Sequence, residues 1–427
     1  MAERSWSGTL TYSGEVVRPS ALAEVPALLA AHERVRILGT RHSFSAIGDT
    51  DGVLIDLSGL PPDLSFDEAS GEVSLGCGAR YADVVPFLQR RGRALPNTGS
   101  LPHINVAGAV SSGTHGSGDR LRNLSSAVRE VQLLTAEGEQ VTLRRGEHPD
   151  LAGAVVALGA LGVVTRLTLA TEPTYDVRQD VYVGLDRAAF LADPDALLGA
   201  GYSVSVFTDW DGRPLPETVV KRRIGSADDA PAPLLGVDPV GEWVGDSRIS
   251  SEPESLTARG VSGPWHERLP HFRIERPPSH GAELQSEWFV PRERTGEALE
   301  AVSRVGDRLR EALIVSEIRT MAADDLWLSP ATGATACACT SPGVPTTTWC
   351  GPRCARSRRP SPRSRLVRTG ARCSTSTGST SRRPIRGSPS SVLSQAGSTR
   401  RGACATTSWS ARCGHGAADR SRLSAAG

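Results

Sequence analysis

Between Leu95 and Gly118 the chain passes through Gly99, Gly108, Ala109, Ser111, Gly113, Gly116 and Gly118, leaving backbone amides bare over more than ten positions. Few folds need such a run. It suits a backbone that must lie against an extended ligand carrying a pyrophosphate, because only small residues permit that approach. A solvated glycine-serine linker is the bland alternative, but Ile104, Val106 and Val110 would have no reason to be interleaved in one.

A second segment points the same way. Val35-Arg36-Ile37-Leu38 reads as a buried strand that stops at Gly39-Thr40-Arg41-His42-Ser43-Phe44. Gly39 lets the backbone turn without a Cβ clash, so the N–H groups of Gly39 to Ser43 can converge in a nest that suits a phosphate. His42 stands at its tip. Alone the pattern is unspecific, since most loop histidines are merely solvated or capping.

The surrounding pattern alternates strands and helices, an α+β arrangement. Leu10–Pro19 predicts one or two opening strands and Ser20–Ala31 a helix with Ser20 as N-cap. Strands are expected at Gly52–Leu57 and Glu72–Gly76, a helix at Tyr81–Arg91, and a hairpin at Val128–Arg144 with glycine at its turn. In Leu158–Leu169 the small residues Gly159, Ala160 and Gly162 precede Val163 and a β-branched strand, again permitting close approach to a ligand. Near Thr171-Glu172-Pro173 the pattern shifts. Tyr202–Phe207 and Glu283–Phe289 alternate at period two, Ser226–Pro253 reads as a loop, Glu293–Leu313 as one helix and Ile314–Met321 as a strand. Glu317 and Arg319 project from the same face of that last strand. Without further information a surface ion pair worth about 0 to 1 kcal/mol is the plainer account of them.

Together these segments resemble the vanillyl-alcohol-oxidase-type flavoproteins, and within them the alditol (xylitol) oxidases and their sugar-lactone oxidase relatives. The resemblance rests on Trp6–Tyr12, Gly39–Phe44, Ser100-Leu101-Pro102-His103-Ile104, Gly113-Thr114-His115-Gly116-Ser117-Gly118 and Leu158–Thr165. It continues through Phe207-Thr208-Asp209-Trp210, Gly263–Phe272 and Ser316-Glu317-Ile318-Arg319-Thr320, and so spans roughly residues 6 to 330. It implies a two-subdomain FAD-binding domain of the vanillyl-alcohol-oxidase (PCMH) type over 1–172, and a substrate domain with an antiparallel sheet over 173–333.

By the same resemblance FAD contacts Leu38, Gly39, Thr40, Arg41, His42, Ser43, Phe44, Ser100, Asn105, Gly108, Ala109, Val110, Ser111, Gly113, Thr114, Gly162 and Val163. His42 would carry it covalently through the flavin 8α-methyl group. Ser100, Glu317 and Arg319 would hold a polyol, whose terminal carbinol gives up a hydride to FAD and becomes an aldehyde while O2 becomes hydrogen peroxide. Glu317 would accept hydrogen bonds and Arg319 would favour developing alkoxide charge. A glycine at Gly99 leaves O2 room to reach the flavin. The resemblance implies no metal. A sugar-lactone substrate, as in D-arabinono-1,4-lactone oxidases, is the alternative.

The match stops abruptly, and charge shows why. The net charge of +1 hides a tail, residues 335–427, with sixteen arginines and Asp419 as its one acid, and a preceding body with 32 basic and 46 acidic residues. Leu, Ile and Val total seven across those 93 tail residues, and seven of the eight cysteines lie there. A basic nucleic-acid arm and a zinc site are weaker readings, because no paired C-x-x-C spacing occurs. Translation of GC-rich DNA out of frame accounts for all of it, so 334–427 is expected to be a disordered product of a frameshift. The family's pocket also takes a Lys, a Thr and a His from this portion, and nothing after Thr335 matches them. A catalytically impaired flavin-binding product is therefore a further alternative. With no leader segment and no apolar run of about 20 residues, the chain reads as a cytoplasmic monomer with reduced cysteines, without a membrane span or a nucleic-acid partner.

Overall fold

The computed structural model describes residues 3–225, 231–242, 247–278, 283–343 and 367–369. A small parallel sheet comes first, built from β1 (Glu15–Val17), β2 (Val35–Leu38) and β3 (Val53–Asp56) in the order β1-β3-β2. The helix expected at Ser20–Ala31 begins as a 3-10 turn over Leu22–Glu24 and becomes α1 only at Val25–Ala31. Ser20 is not the cap. The Glu24 carboxylate instead reaches back to the N–H groups of Ser20 and Ala21 and to the Ser20 hydroxyl.

The next strands are β4 (Ser65–Asp67), β5 (Glu72–Gly76), β6 (Arg93–Ala94), β7 (Val128–Leu134), β8 (Gln140–Arg144), β9 (Val163–Ala170) and β10 (Glu172–Pro173). Five of them form an antiparallel sheet in the order β4-β5-β9-β7-β8, and β10 pairs with β6. Helix α2 (Tyr81–Gln89) covers this sheet, burying Tyr81, Val84, Val85 and Leu88. The glycine-rich run is not extended throughout. Val106–Ser112 forms α3, because Asn105 caps it through Gly108 N–H, Gly113 ends it in the left-handed region, and burial of Val106, Ala107, Ala109 and Val110 outweighs the poor helix propensity of Gly108.

The second half is dominated by one eight-stranded antiparallel sheet. Its members are β11 (Asp176–Tyr182), β12 (Ser203–Thr208), β13 (Glu217–Arg223), β14 (Ser262–Pro264), β15 (Leu284–Pro291), β16 (Ser316–Met321), β17 (Ala336–Gly343) and β18 (Val367–Thr369), ordered β14-β11-β13-β12-β16-β17-β15-β18. The helix expected over Glu293–Leu313 breaks into a 3-10 turn at Arg292–Arg294 and helices at Thr295–Ser303 and Gly306–Leu309. Gly306 lies directly against the Trp210 carbonyl, where a Cβ could not fit, so tertiary packing interrupts a helix that periodicity alone would continue.

Val177, Trp265 and Leu326 of the second half pack into the cluster formed by α2, α3 and the five-stranded sheet. The tail does not begin at 334. Ala336–Gly343 is an interior strand paired on both sides with β15 and β16, and Ala336, Cys337 and Ala338 are buried. Small side chains suffice there because Phe289 and Met321 supply the apolar bulk. The rest of the tail, apart from β18, lies outside the described residues. Among the described residues no helix is long and apolar enough to cross a membrane.

Candidate functional site

Three of the predicted cofactor segments converge on α3. The Thr40 hydroxyl accepts the Asn105 N–H at 2.9 Å, and a Cβ on Gly39 would press on Asn105, so the loop after β2 sits against the start of the helix. At the far end the Leu158 N–H donates to the Ser111 carbonyl, bringing in the segment that leads to Gly162 and Val163. Arg41 adopts φ 60° within the loop. Among the described residues the backbone N–H groups of Gly39, Thr40, Arg41, Ser43 and Phe44 meet no protein acceptor, so these donors remain available to a phosphate. The residues present thus fit FAD.

Several of these residues are also engaged by the protein itself. The Arg41 side chain turns to Glu3 and Asp56. The Asn105 side chain is occupied by the protein, accepting from Gly108 N–H and donating to the carbonyls of Cys77 and Ala79, so it positions the cradle. Gly162 is small because the Leu134 carbonyl occupies the place a Cβ would take, at a φ of 143°. Val163, Leu38, Val110 and Ala109 are all buried, Val163 and Leu38 in two separate apolar clusters and Val110 and Ala109 together in a third. His42 stacks on Trp6, with ring centroids 5.1 Å apart. Gly99 has room for a methyl group, with Ile104 and Thr114 at ordinary contact distance.

From α3 the chain crosses the Gly113–Gly118 loop to the large sheet, where Gly118 N–H donates to the Thr320 carbonyl of β16. This delivers His115 to Glu287, the partner of Arg319. Arg319 Nη2 donates to Glu287 Oε1 at 2.7 Å, and the same oxygen lies 2.6 Å from Thr340 Oγ1 and 3.1 Å from His115 Nε2. Arg319 Nε is 3.9 Å from Glu317 Oε2. The pair is therefore not a solvated surface bridge. Burial alone would raise the Glu287 carboxyl, but His115 and Arg319 outweigh it and hold it well below the usual range. For Glu317 burial is likewise outweighed, by Arg319 first and then His271, leaving it at about 2. The Arg319 guanidinium is raised, because Glu287 and Glu317 more than offset its desolvation.

Glu287 Oε1 accepts from both Arg319 and Thr340, whereas Glu317 is less well provided. Among the described residues the buried Oε1 of Glu317 makes no hydrogen bond, with His271 Nε2 standing 3.8 Å away. The Arg319 Nε is likewise buried without a hydrogen bond. A free carboxylate oxygen beside a free guanidinium donor matches a hydroxyl group, which both donates and accepts. Ser100 belongs to this region, since its carbonyl accepts from Phe272 N–H, the neighbour of His271. Thr340, beyond Thr335, reaches this cluster through its hydrogen bond to Glu287.

Residues 15–144 match the family described as FAD binding domain. An alditol oxidase from a Streptomyces species is 42% identical over 343 residues, which cover 78% of this chain and 80% of that protein. The chain belongs to the alditol oxidase family of FAD-binding proteins. A further relative, the L-gulono-1,4-lactone dehydrogenase of Mycobacterium tuberculosis, is 30% identical over 75% of this chain and 78% of that protein. The cholesterol oxidase of Brevibacterium sterolicum has the same fold, with a TM-score of 0.64 over 81% of this chain and 80% of that one at 13% identity.

Sequence reasoning singled out Glu317 and Arg319 but gave no role to Glu287, His115, Lys221 and His271. Their contacts arise from strand order and from one crossing loop, and only the period-two alternation around Glu287 offered a local signal.

Proposed function

We propose that the protein oxidises the terminal primary alcohol of an alditol such as xylitol or sorbitol to the aldose, reducing O2 to hydrogen peroxide. The observation that carries this reading is the buried Glu317 oxygen without a hydrogen bond, facing the same space as Arg319. The loop 38–44, α3 with its flanking residues 105–114, and residues 162–163 would hold FAD, with His42 as the covalent anchor. When bound, FAD supplies the acceptor for the hydride of the alcohol carbon. The protein's own part is orientation and charge. Glu317 accepts the hydroxyl hydrogen bond, Arg319 donates to the oxygen as it gains alkoxide character, and Glu287 keeps the guanidinium from swinging away. Ser100 extends the polar wall toward the remaining hydroxyls. The unbridged, buried thiols of Cys77 and Cys337 favour a reducing, cytoplasmic setting.

A substrate panel under anaerobic conditions tests this. Xylitol and sorbitol should bleach the flavin absorbance, and O2 should restore it with release of peroxide. Bleaching by aldono-1,4-lactones alone would replace the reading with the lactone alternative. The tail composition favours a second reading, that this chain is an impaired product of a shifted frame. Resequencing the codons for Thr332 to Cys339 tests it, because a one-base correction should restore an aliphatic-rich end with a lysine.

A further inference from the structure

Behind Glu317 lies a line of buried groups that the alcohol-oxidation reading has not used. His271 Nε2 faces Glu317 Oε1 at 3.8 Å, and its Nδ1 faces Lys221 Nζ at 3.4 Å. Lys221 Nζ also donates to the Leu269 carbonyl at 2.5 Å. Lys221 is only 2% exposed, and the partners of its ammonium among the described residues are this carbonyl and imidazole, neither of them an anion. A buried ammonium without a paired anion costs several kcal/mol, which brings the neutral amine within reach. The choice of residue matters as well. This chain has 48 basic residues, of which 47 are arginine, and it places its one lysine here. Arginine could not give up its proton, whereas lysine can.

We propose that Glu317, His271 and Lys221 form a proton relay that receives the substrate hydroxyl proton, with Lys221 as the final acceptor. The proposal rests on the alcohol-oxidation reading. As the hydride leaves the alcohol carbon, the O–H bond breaks and the C=O bond forms, and the proton passes to the Glu317 carboxylate. The carboxyl protonates His271 at Nε2, and the proton on Nδ1 moves to the neutral Lys221 amine, which becomes an ammonium. One proton leaves the alcohol and one is gained by Lys221. It returns along the same line once product has left and water reaches Glu317.

The electrostatic surroundings are consistent with this direction. Burial lowers Lys221 to about 7, opposed by Glu317 and assisted by Arg259, which is itself paired with Glu217 at 3.0 Å. Burial and then Lys221 hold His271 at about 4, against the pull of Glu317, so the imidazole between them is neutral. Arg319 is the other charge beside Glu317. On the flanking strands Gln179 and Ser203 stand opposite Lys221, and neither titrates.

The single lysine makes the test direct. Lysine labelled with 13C at Cε yields one side-chain resonance from the full chain, and its titration reports Lys221 alone. A midpoint near 7 is expected, and Glu317→Gln should move it downward by about 1 through loss of the nearby negative charge. A midpoint near the ordinary lysine value, or one that ignores Glu317→Gln, would overturn the relay. The kinetic counterpart is anaerobic flavin reduction by xylitol, whose rate should fall as pH drops through that midpoint. Lys221→Met, which keeps the length of the stem, should be about 100-fold slower and lose that pH limb. A purely structural lysine would leave the limb in place, and that result also refutes the proposal. Failure to oxidise any polyol would overturn the functional reading, while the resonance titration still decides whether the three groups are coupled.

Discussion

Replacing Arg319 with alanine should remove the one guanidinium that makes two carboxylates tolerable in a closed site. The side chains of Arg319, Glu287 and Glu317 are 12%, 19% and 15% exposed, so solvent screening replaces little of what is lost. Glu317 falls from its ordinary 4.5 to about 2, a depression that corresponds to about 3 kcal/mol of stability. Its folded pKa is the lower one, so this contribution is complete above about pH 4.5 and is lost as pH falls toward 2. Without Arg319, burial dominates and the contribution vanishes. Glu287 loses its 2.7 Å partner as well, which brings the expected destabilisation at pH 7 to about 3–5 kcal/mol. Urea unfolding between pH 2.5 and 7 measures both parts, and the acid limb of the wild-type curve should flatten in the variant. Arg319→Ala combined with Glu287→Gln should recover part of the loss, since the orphaned charge is then gone. In anaerobic stopped-flow the variant should reduce flavin about 100- to 1000-fold more slowly, with reoxidation by O2 nearly unchanged. A loss below 1 kcal/mol with an unaltered acid limb would refute the buried-triad argument. Normal reduction kinetics would remove Arg319 from the chemistry.

His42→Ala should release flavin on a denaturing gel, where the parent chain keeps a fluorescent yellow band; flavin retained in the variant would move the covalent link elsewhere. Asn105→Ala removes a helix cap and the donor to two buried carbonyls, and should cost about 2–4 kcal/mol in urea unfolding. If its stability matches the parent, Asn105 does not organise the cradle.

Much of the secondary structure was legible because it depends on local spacing. Period-two alternation marks Ser203–Thr208, Leu284–Pro291 and Ser316–Met321, and the last of these already puts Glu317 and Arg319 on one face. Gly138 marks its hairpin because the turn needs φ 85°. Local spacing failed where packing outweighed propensity. A glycine-bearing run became α3 once Asn105 capped it and four of its side chains found a core, and a periodic helix was broken where Gly306 met Trp210. Composition failed at Ala336–Gly343 for a related reason. A strand hydrogen-bonded on both sides satisfies its backbone whatever its side chains, and its neighbours can supply the apolar bulk. The site itself is the clearest division. Glu317 and Arg319 are neighbours in sequence, but Glu287, His115, His271 and Lys221 reach them only because the strands pair in the order β13-β12-β16-β17-β15 and the Gly113–Gly118 loop crosses between the two halves. Those are contacts between residues far apart in the chain, and no local periodicity encodes which distant strand becomes a neighbour.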